Sequence, residues 1–155
     1  MPGMGRGRES SKFDIRNASV LVAYVIPEHP AHGGVRERVD LFQHDGRRLA
    51  LTSGMIAEFV DVVTDPKRFE NPLTMAEALE WAAFWSDAVE IAIISTDTAA
   101  HRQWLVWLEQ HRLGRKRLLE TLIAATWWSA GIREIFTLNP ADFKIFGVFT
   151  IHTVS

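Results

Sequence analysis

Short runs of β-branched and apolar residues alternate along this chain with stretches of helical period, and capping or breaking residues mark the switches. That alternation is the strongest constraint on its fold. Leu49-Ala50-Leu51, Ile91–Ile94, Ile132–Thr137 and Val148–Thr153 read as short strands. Phe13 and Ile15 alternate with polar neighbours and predict one more. Strands separated by helices pack as parallel strands covered by those helices. The expectation is therefore an α/β domain around a mostly parallel sheet over residues 13–155, with no internal repeat or linker.

The helical stretches carry their own punctuation. Thr52 or Ser53 is placed to cap a helix with Met55, Ile56, Phe59, Val60 and Val63 on one stripe, and Pro66 ends it. Thr74 with Glu77 three residues later predicts a capping box, ahead of Met75, Ala78, Leu79, Ala82 and Trp85 on one face. Asp97 or Thr98 caps a helix carrying Trp104, Leu105 and Leu108, and Gly114 breaks it. Arg115–Ala130 reads as a further helix stopped by Gly131, with Glu120 bordering a stripe of Leu118, Leu119, Leu122 and Ile123. Ala31–His44 carries Val35, Val39 and Phe42 at helical spacing. Ser19–Ile26 is ambiguous, since periodicity alone allows a buried strand or a buried helix.

Composition narrows the class. A chain of 155 residues fits one domain that needs no disulfide or structural metal for stability. Cysteine is absent, which excludes disulfides, thiolate nucleophiles and Cys-ligated zinc. With 17 Lys and Arg against 19 Asp and Glu, the net charge of −2 argues against a protein that coats nucleic acid by charge alone. The longest apolar stretches, Val20–Ile26 and Leu118–Trp128, fall short of the ~20 residues that span a bilayer. Met1 to Lys12 is rich in Gly, Arg and Ser, lacks the apolar core of a secretory signal and reads as a disordered N-terminal extension. A soluble cytoplasmic protein is expected, with no membrane partner. Gly-rich phosphate loops, Gly-x-Ser-x-Gly elbows and His-Glu-x-x-His motifs are missing from the sequence, which removes hydrolase triads, kinases and zinc proteases.

Parallel α/β sheets bind ligands beyond the carboxyl ends of their strands. Asn17, Asn139 and Asp142 follow predicted strands, and Glu58 lies early in the helix after Leu49–Leu51. Glu120 lies early in the helix that precedes Ile132–Thr137. Carboxylates inside apolar helices are costly unless compensated, and a hard divalent cation compensates them. The plainer alternative is that each Glu points to solvent from a helix edge. His29 and His32 flank Pro30 in a turn, and zinc would need further ligands that the sequence does not supply. The six Trp residues, at 81, 85, 104, 107, 127 and 128, suit core or dimer packing better than base stacking. They cannot all face one small core, so a Trp-bearing surface for a homodimer or a partner helix is expected.

Several segments share a pattern. Asn17-Ala18-Ser19-Val20-Leu21-Val22, Glu28-His29-Pro30-Ala31-His32 and Ala57–Thr64 followed by Arg68-Phe69 come first. Leu118-Leu119-Glu120-Thr121-Leu122-Ile123-Ala124-Ala125 and Thr137-Leu138-Asn139-Pro140-Ala141-Asp142-Phe143 follow. In order and spacing, residues 17–146 resemble a PIN domain of the VapC toxin type. The resemblance implies a three-layer α/β/α domain with a mostly parallel central sheet, a helix over Val20–Val25 and Asn17 at the end of the first strand. It implies a metal-dependent endoribonuclease, the toxin of a toxin–antitoxin pair, acting on RNA as a homodimer restrained by an antitoxin protein. It implies Mg²⁺ or Mn²⁺ held by Asn17, Glu58, Glu120, Asn139 and Asp142, with Thr137 as a supporting or phosphate-side hydroxyl.

Two departures bear on that site. Asn17 stands where the family has aspartate, so one negative charge is missing. Glu120 stands where the family usually has Asp, which moves the carboxylate by one methylene. Arg112, Arg115, Lys116 and Arg117 cluster near Glu120. Arg115, Lys116 and Arg117 are candidate RNA-phosphate contacts, against the alternative of a solvated turn. The competing functional expectation is a PIN-like domain without catalysis, serving as an RNA-binding or protein-binding module.

Overall fold

The computed structural model describes residues 19–154. The expected extension over 1–12, the strand at Phe13 and Ile15, and Asn17 lie outside the described residues. Ser19–Val25 forms α1, which resolves the ambiguous segment as a helix. His32–His44 is α2, Leu49–Thr52 β1, Ser53–Val63 α3, Met75–Asp87 α4 and Ile91–Ile94 β2. Thr98–Gln110 is α5, followed by a 3-10 turn at Arg115–Arg117 and by α6 over Leu118–Ser129. Glu134–Phe136 is β3, Ala141–Lys144 α7 and Thr150–His152 β4.

The protein is thus mixed α/β with short parallel strands. Among the described residues the strands form two parallel pairs rather than one sheet: β1 with β2, and β3 with β4. In the first, Leu49 faces Ile91 and Leu51 faces Ile93; in the second, Ile135 faces Ile151. A cavity of about 670 Å³ separates the pairs, bordered by Leu49, Ala50 and Leu51 of β1 and by Glu134, Ile135 and Phe136 of β3. Arg47 Nη1 donates to Glu134 Oε1 at 2.7 Å and ties the two pairs together at the rim.

Capping follows the sequence. Thr52 Oγ1 accepts from Met55 N at 3.2 Å, and Asp97 Oδ1 accepts from Ala100 N at 2.7 Å. Thr74 and Glu77 form the complete capping box of α4. Gly131 at φ 85° ends the turn after α6 in the left-handed region that favours glycine. The break after α5 falls elsewhere than predicted. Arg112, at φ 52°, takes the left-handed conformation, and Gly114 does not.

Which helix faces are buried differs more from expectation. α4 buries Ala78 and Trp85 but leaves Met75 53 % and Leu79 52 % exposed. Its inward stripe runs through Ala78, Trp81 and Trp85, because Trp81 packs on Tyr24 and Trp85. α5 buries Ala100 and Trp107 and exposes Leu105. Trp107 stacks on Phe146 at 4.5 Å, and this contact sets its rotation. α6 buries Glu120 and every residue from Ile123 to Trp127, while Leu118 and Leu119 face solvent. The main core gathers Phe59, Val63, Trp85, Trp107, Trp127 and Phe143. Trp85, Trp107 and Trp127 are buried and the other three Trp residues half-buried, and the exposed apolar side chains are others, such as Phe84, Val106 and Met75.

Candidate functional site

The turn before α6 and the short helix α7 meet at one arginine. Gly114 O accepts from Arg117 N at 2.9 Å and closes the 3-10 turn, which aims the Arg117 side chain back along α6. Its Nε forms an ion pair with Glu120 Oε1, three residues on. Its Nη2 donates to the backbone oxygen of Asp142. Glu120 is only 3 % exposed, so it does not point to solvent from a helix edge. A carboxylate that deep requires a compensating charge, and the guanidinium supplies it.

Asp142 is carried by a short, well-braced segment. Thr137 N donates to His152 O at 3.0 Å, which fastens the residue after β3 to β4. The buried Thr137 hydroxyl accepts from Asn139 N at 3.0 Å, and Asn139 O accepts from Asp142 N at 3.1 Å. Thr137 therefore orders the turn that presents Asn139 and Asp142. That role is a supporting one.

Glu58 lies midway along α3, half-buried. α3 approaches the start of α6 near Gly54, where a Cβ would stand 3.9 Å from Leu119 Cδ1. Glu58 Oε2, Glu120 Oε1 and Asp142 Oδ2 are all withdrawn from solvent. Among the described residues, no three His, Cys, Asp or Glu side chains form a group able to hold a metal ion. Two of the five expected ligands are amides, Asn139 and Asn17, and Asn17 lies outside the described residues. The structure thus brings Glu120 and Asp142 together through Arg117, while Glu58 stands on the neighbouring helix.

Of the predicted RNA contacts, Arg115 and Lys116 are exposed on the 3-10 turn. Arg117 instead faces inward. Its pairing with Glu120 was legible in the spacing, since side chains three residues apart share a helix face. The aliphatic run around Glu120 obscured it.

The histidine pair is used structurally. His32 Nδ1 donates to Ala23 O at 2.7 Å, and His29 Nδ1 accepts from Ala31 N at 3.0 Å. The His32 bond, with Arg36 Nε donating to Tyr24 O at 2.8 Å, satisfies carbonyls at the end of α1, while the His29 bond takes up an amide of the turn before α2. A hydroxyl cluster that sequence reasoning missed ties α5 to α6. Thr96 and Thr126 hydroxyls bond at 2.8 Å, and Ser129 Oγ donates to Asp97 Oδ1 at 2.9 Å. The Ala100 amide, then the Ser129 hydroxyl, hold the Asp97 carboxyl below its usual range. The cavity between the strand pairs is mainly apolar, and none of the predicted site residues among those described lines it.

The described residues form a mixed α/β protein with short parallel strands, in which Arg117 links buried Glu120 to the backbone of Asp142. No family model matches the chain, and no protein of curated function matches it in sequence. No helix among the described residues is long and apolar enough to cross a membrane.

Proposed function

We propose that this protein is a metal-dependent endoribonuclease of the VapC-like PIN type, the toxin of a toxin–antitoxin pair. The observation that carries the reading is the burial of Glu120 beside Asp142, with a guanidinium bridging the two. Burying an acid at a helix start is expensive, and a site that must present negative charge to a cation is a reason to bear that cost. The residue types are the hard oxygen donors a divalent ion takes, with one carboxylate oxygen each of Glu58, Glu120 and Asp142 withdrawn from solvent, although the three do not stand as a formed metal group among the described residues. Those three would hold Mg²⁺ or Mn²⁺, with the amide oxygens of Asn139 and Asn17 as neutral donors.

Once bound, such an ion would activate water and offset charge on the phosphodiester. The chain's own residues do the rest. Thr137 holds the Asn139–Asp142 turn in place, and exposed Arg115 and Lys116 neutralise RNA phosphates at the rim. The finer architecture belongs to the same reading. In that reading the β1–β2 and β3–β4 pairs belong to the central sheet of a three-layer domain. The antitoxin follows from the resemblance alone, the homodimer from the resemblance and the number of Trp residues, and the cytoplasmic setting from the sequence expectation.

A PIN-like module without catalysis is favoured by one observation, the Arg117–Glu120 pair, because a satisfied ion pair needs no metal. The deciding experiment is Mn²⁺- or Mg²⁺-dependent cleavage of structured RNA by the full chain, by Asn17→Asp and by Glu58→Ala. The nuclease reading expects metal-dependent cleavage that rises in Asn17→Asp and disappears in Glu58→Ala. Absence of cleavage and of calorimetric metal binding in Asn17→Asp would overturn it.

A further inference from the structure

We infer that the cavity between the two strand pairs is a slot for one further parallel strand, and that residues 13–17 of this same chain fill it. Neither the slot nor its occupant depends on the nuclease reading above. Both walls of the slot are strand edges. Thr150 N donates to Arg133 O and Thr137 N to His152 O, so alternation turns the backbone groups of Glu134 and Phe136 away from β4 and toward the cavity. On the other wall Leu49 N donates to Glu90 O, which turns the backbone groups of Ala50 toward the cavity. Ala50 O accepts the Trp127 indole N–H, and a carbonyl keeps a second lone pair for a strand amide. Strand edges of this kind are templates for another strand. Protein interiors are close-packed, so a void of about 670 Å³ lined by Leu51, Met55, Trp85 and Ile135 calls for an occupant.

Position and pattern select the occupant. Val20, Leu21 and Tyr24 of α1 line the cavity, so the chain that enters α1 at Ser19 arrives at the slot. Residues 13–17 immediately precede that entry and lie outside the described residues. Within them Phe13 and Ile15 recur with the period of a strand face. A strand there, followed by α1, α2 and then β1, makes the helix-covered crossover that parallel neighbours need. Charge agrees as well. Asp14 and Arg16 alternate with the apolar pair, and the cavity lining carries Arg47, Arg48 and Arg133 with Glu90 and Glu134. The two pairs then join into one sheet in the order β2, β1, 13–17, β3, β4.

The test is residue-resolved hydrogen exchange of the full chain, joined to cross-linking of introduced cysteine pairs, which the absence of native cysteine makes unambiguous. The amides of Asp14, Ile15 and Arg16, with those of Ala50, Glu134 and Phe136, are expected to exchange at least about a hundredfold slower than in an unstructured chain, as amides of a buried ladder do. With Ile15→Cys, a short bifunctional thiol reagent should bridge within one chain to Ala50→Cys and to Phe136→Cys, and should not reach Ile93→Cys on β2, beyond β1. Exchange of residues 14–16 at the unstructured rate would overturn the proposal. Bridges formed only between two chains would overturn it too, by seating a second copy's segment in the slot. So would one-to-one binding of the apolar dye anilinonaphthalene sulfonate to the parent, since that requires an empty cavity.

Discussion

Trp127 on α6 donates its indole N–H to the Ala50 carbonyl oxygen at 3.2 Å, joining α6 to β1 across 77 residues of sequence. Leu49 N donates to Glu90 O, so strand alternation turns the polar groups of Ala50 away from β2 and onto the open edge. Trp127 thus satisfies an edge carbonyl that borders an apolar cavity. Trp127→Phe keeps a ring in the core but loses the donor and some volume. It should reduce stability by about 1–3 kcal/mol, the range for an orphaned buried acceptor. Urea unfolding reads this directly, and a midpoint equal to the parent's would mean that the bond contributes nothing.

Arg112 adopts φ 52° with an exposed side chain at the break between α5 and the 3-10 turn. A side chain in the left-handed region costs roughly 1–2 kcal/mol, partly offset on going to glycine by greater freedom of the unfolded chain. Arg112→Gly should therefore stabilise the protein by up to about 1 kcal/mol. The melting temperature should rise. A fall would show that the arginine contributes contacts worth more than the strain.

His29 is 8 % exposed, and burial, then the charge of His32, hold its imidazole below the ordinary histidine value. Its Nδ1 accepts the Ala31 amide, a role open only to the unprotonated nitrogen. Because the folded value is depressed, the unfolded chain binds more protons between the two values, and stability rises with pH across that window. The contribution is complete above about pH 6.5 and is lost as pH falls through and below that point. His29→Asn retains an acceptor but does not titrate, so its melting temperature should fall less than the parent's between about pH 7 and 5. Parallel profiles for the two proteins would remove His29 as the cause.

Much of the secondary structure was legible because it is local. Thr52, Thr74 and Asp97 cap helices through bonds that close within three residues, so spacing announced Thr74 and narrowed the other two to Thr52 or Ser53 and Asp97 or Thr98. The strands at Leu49 and Ile91 were equally plain as short apolar runs. Of the candidate site, the backbone placement of Asn139 and Asp142 after β3 was readable, while the burial of Glu120 was not. Leu118 and Leu119 looked like the inward face of α6, yet they are the exposed ones. A helix that is apolar on several sides carries no pattern to say which side is inside.

The sequence by itself determined the order of elements, their caps and the residue types available for an acidic site, since these depend on interactions a few residues apart. Tertiary structure decided how each helix is rotated and which acids are buried. Trp107 on Phe146, Trp81 between Tyr24 and Trp85, and Arg117 against Glu120 and Asp142 are choices made by packing. Arg117 shows the division most clearly. Its charge and its spacing from Glu120 are written in the chain, but only burial of that carboxylate makes the guanidinium turn inward, because an uncompensated charge in the interior costs more than an exposed arginine gains from water.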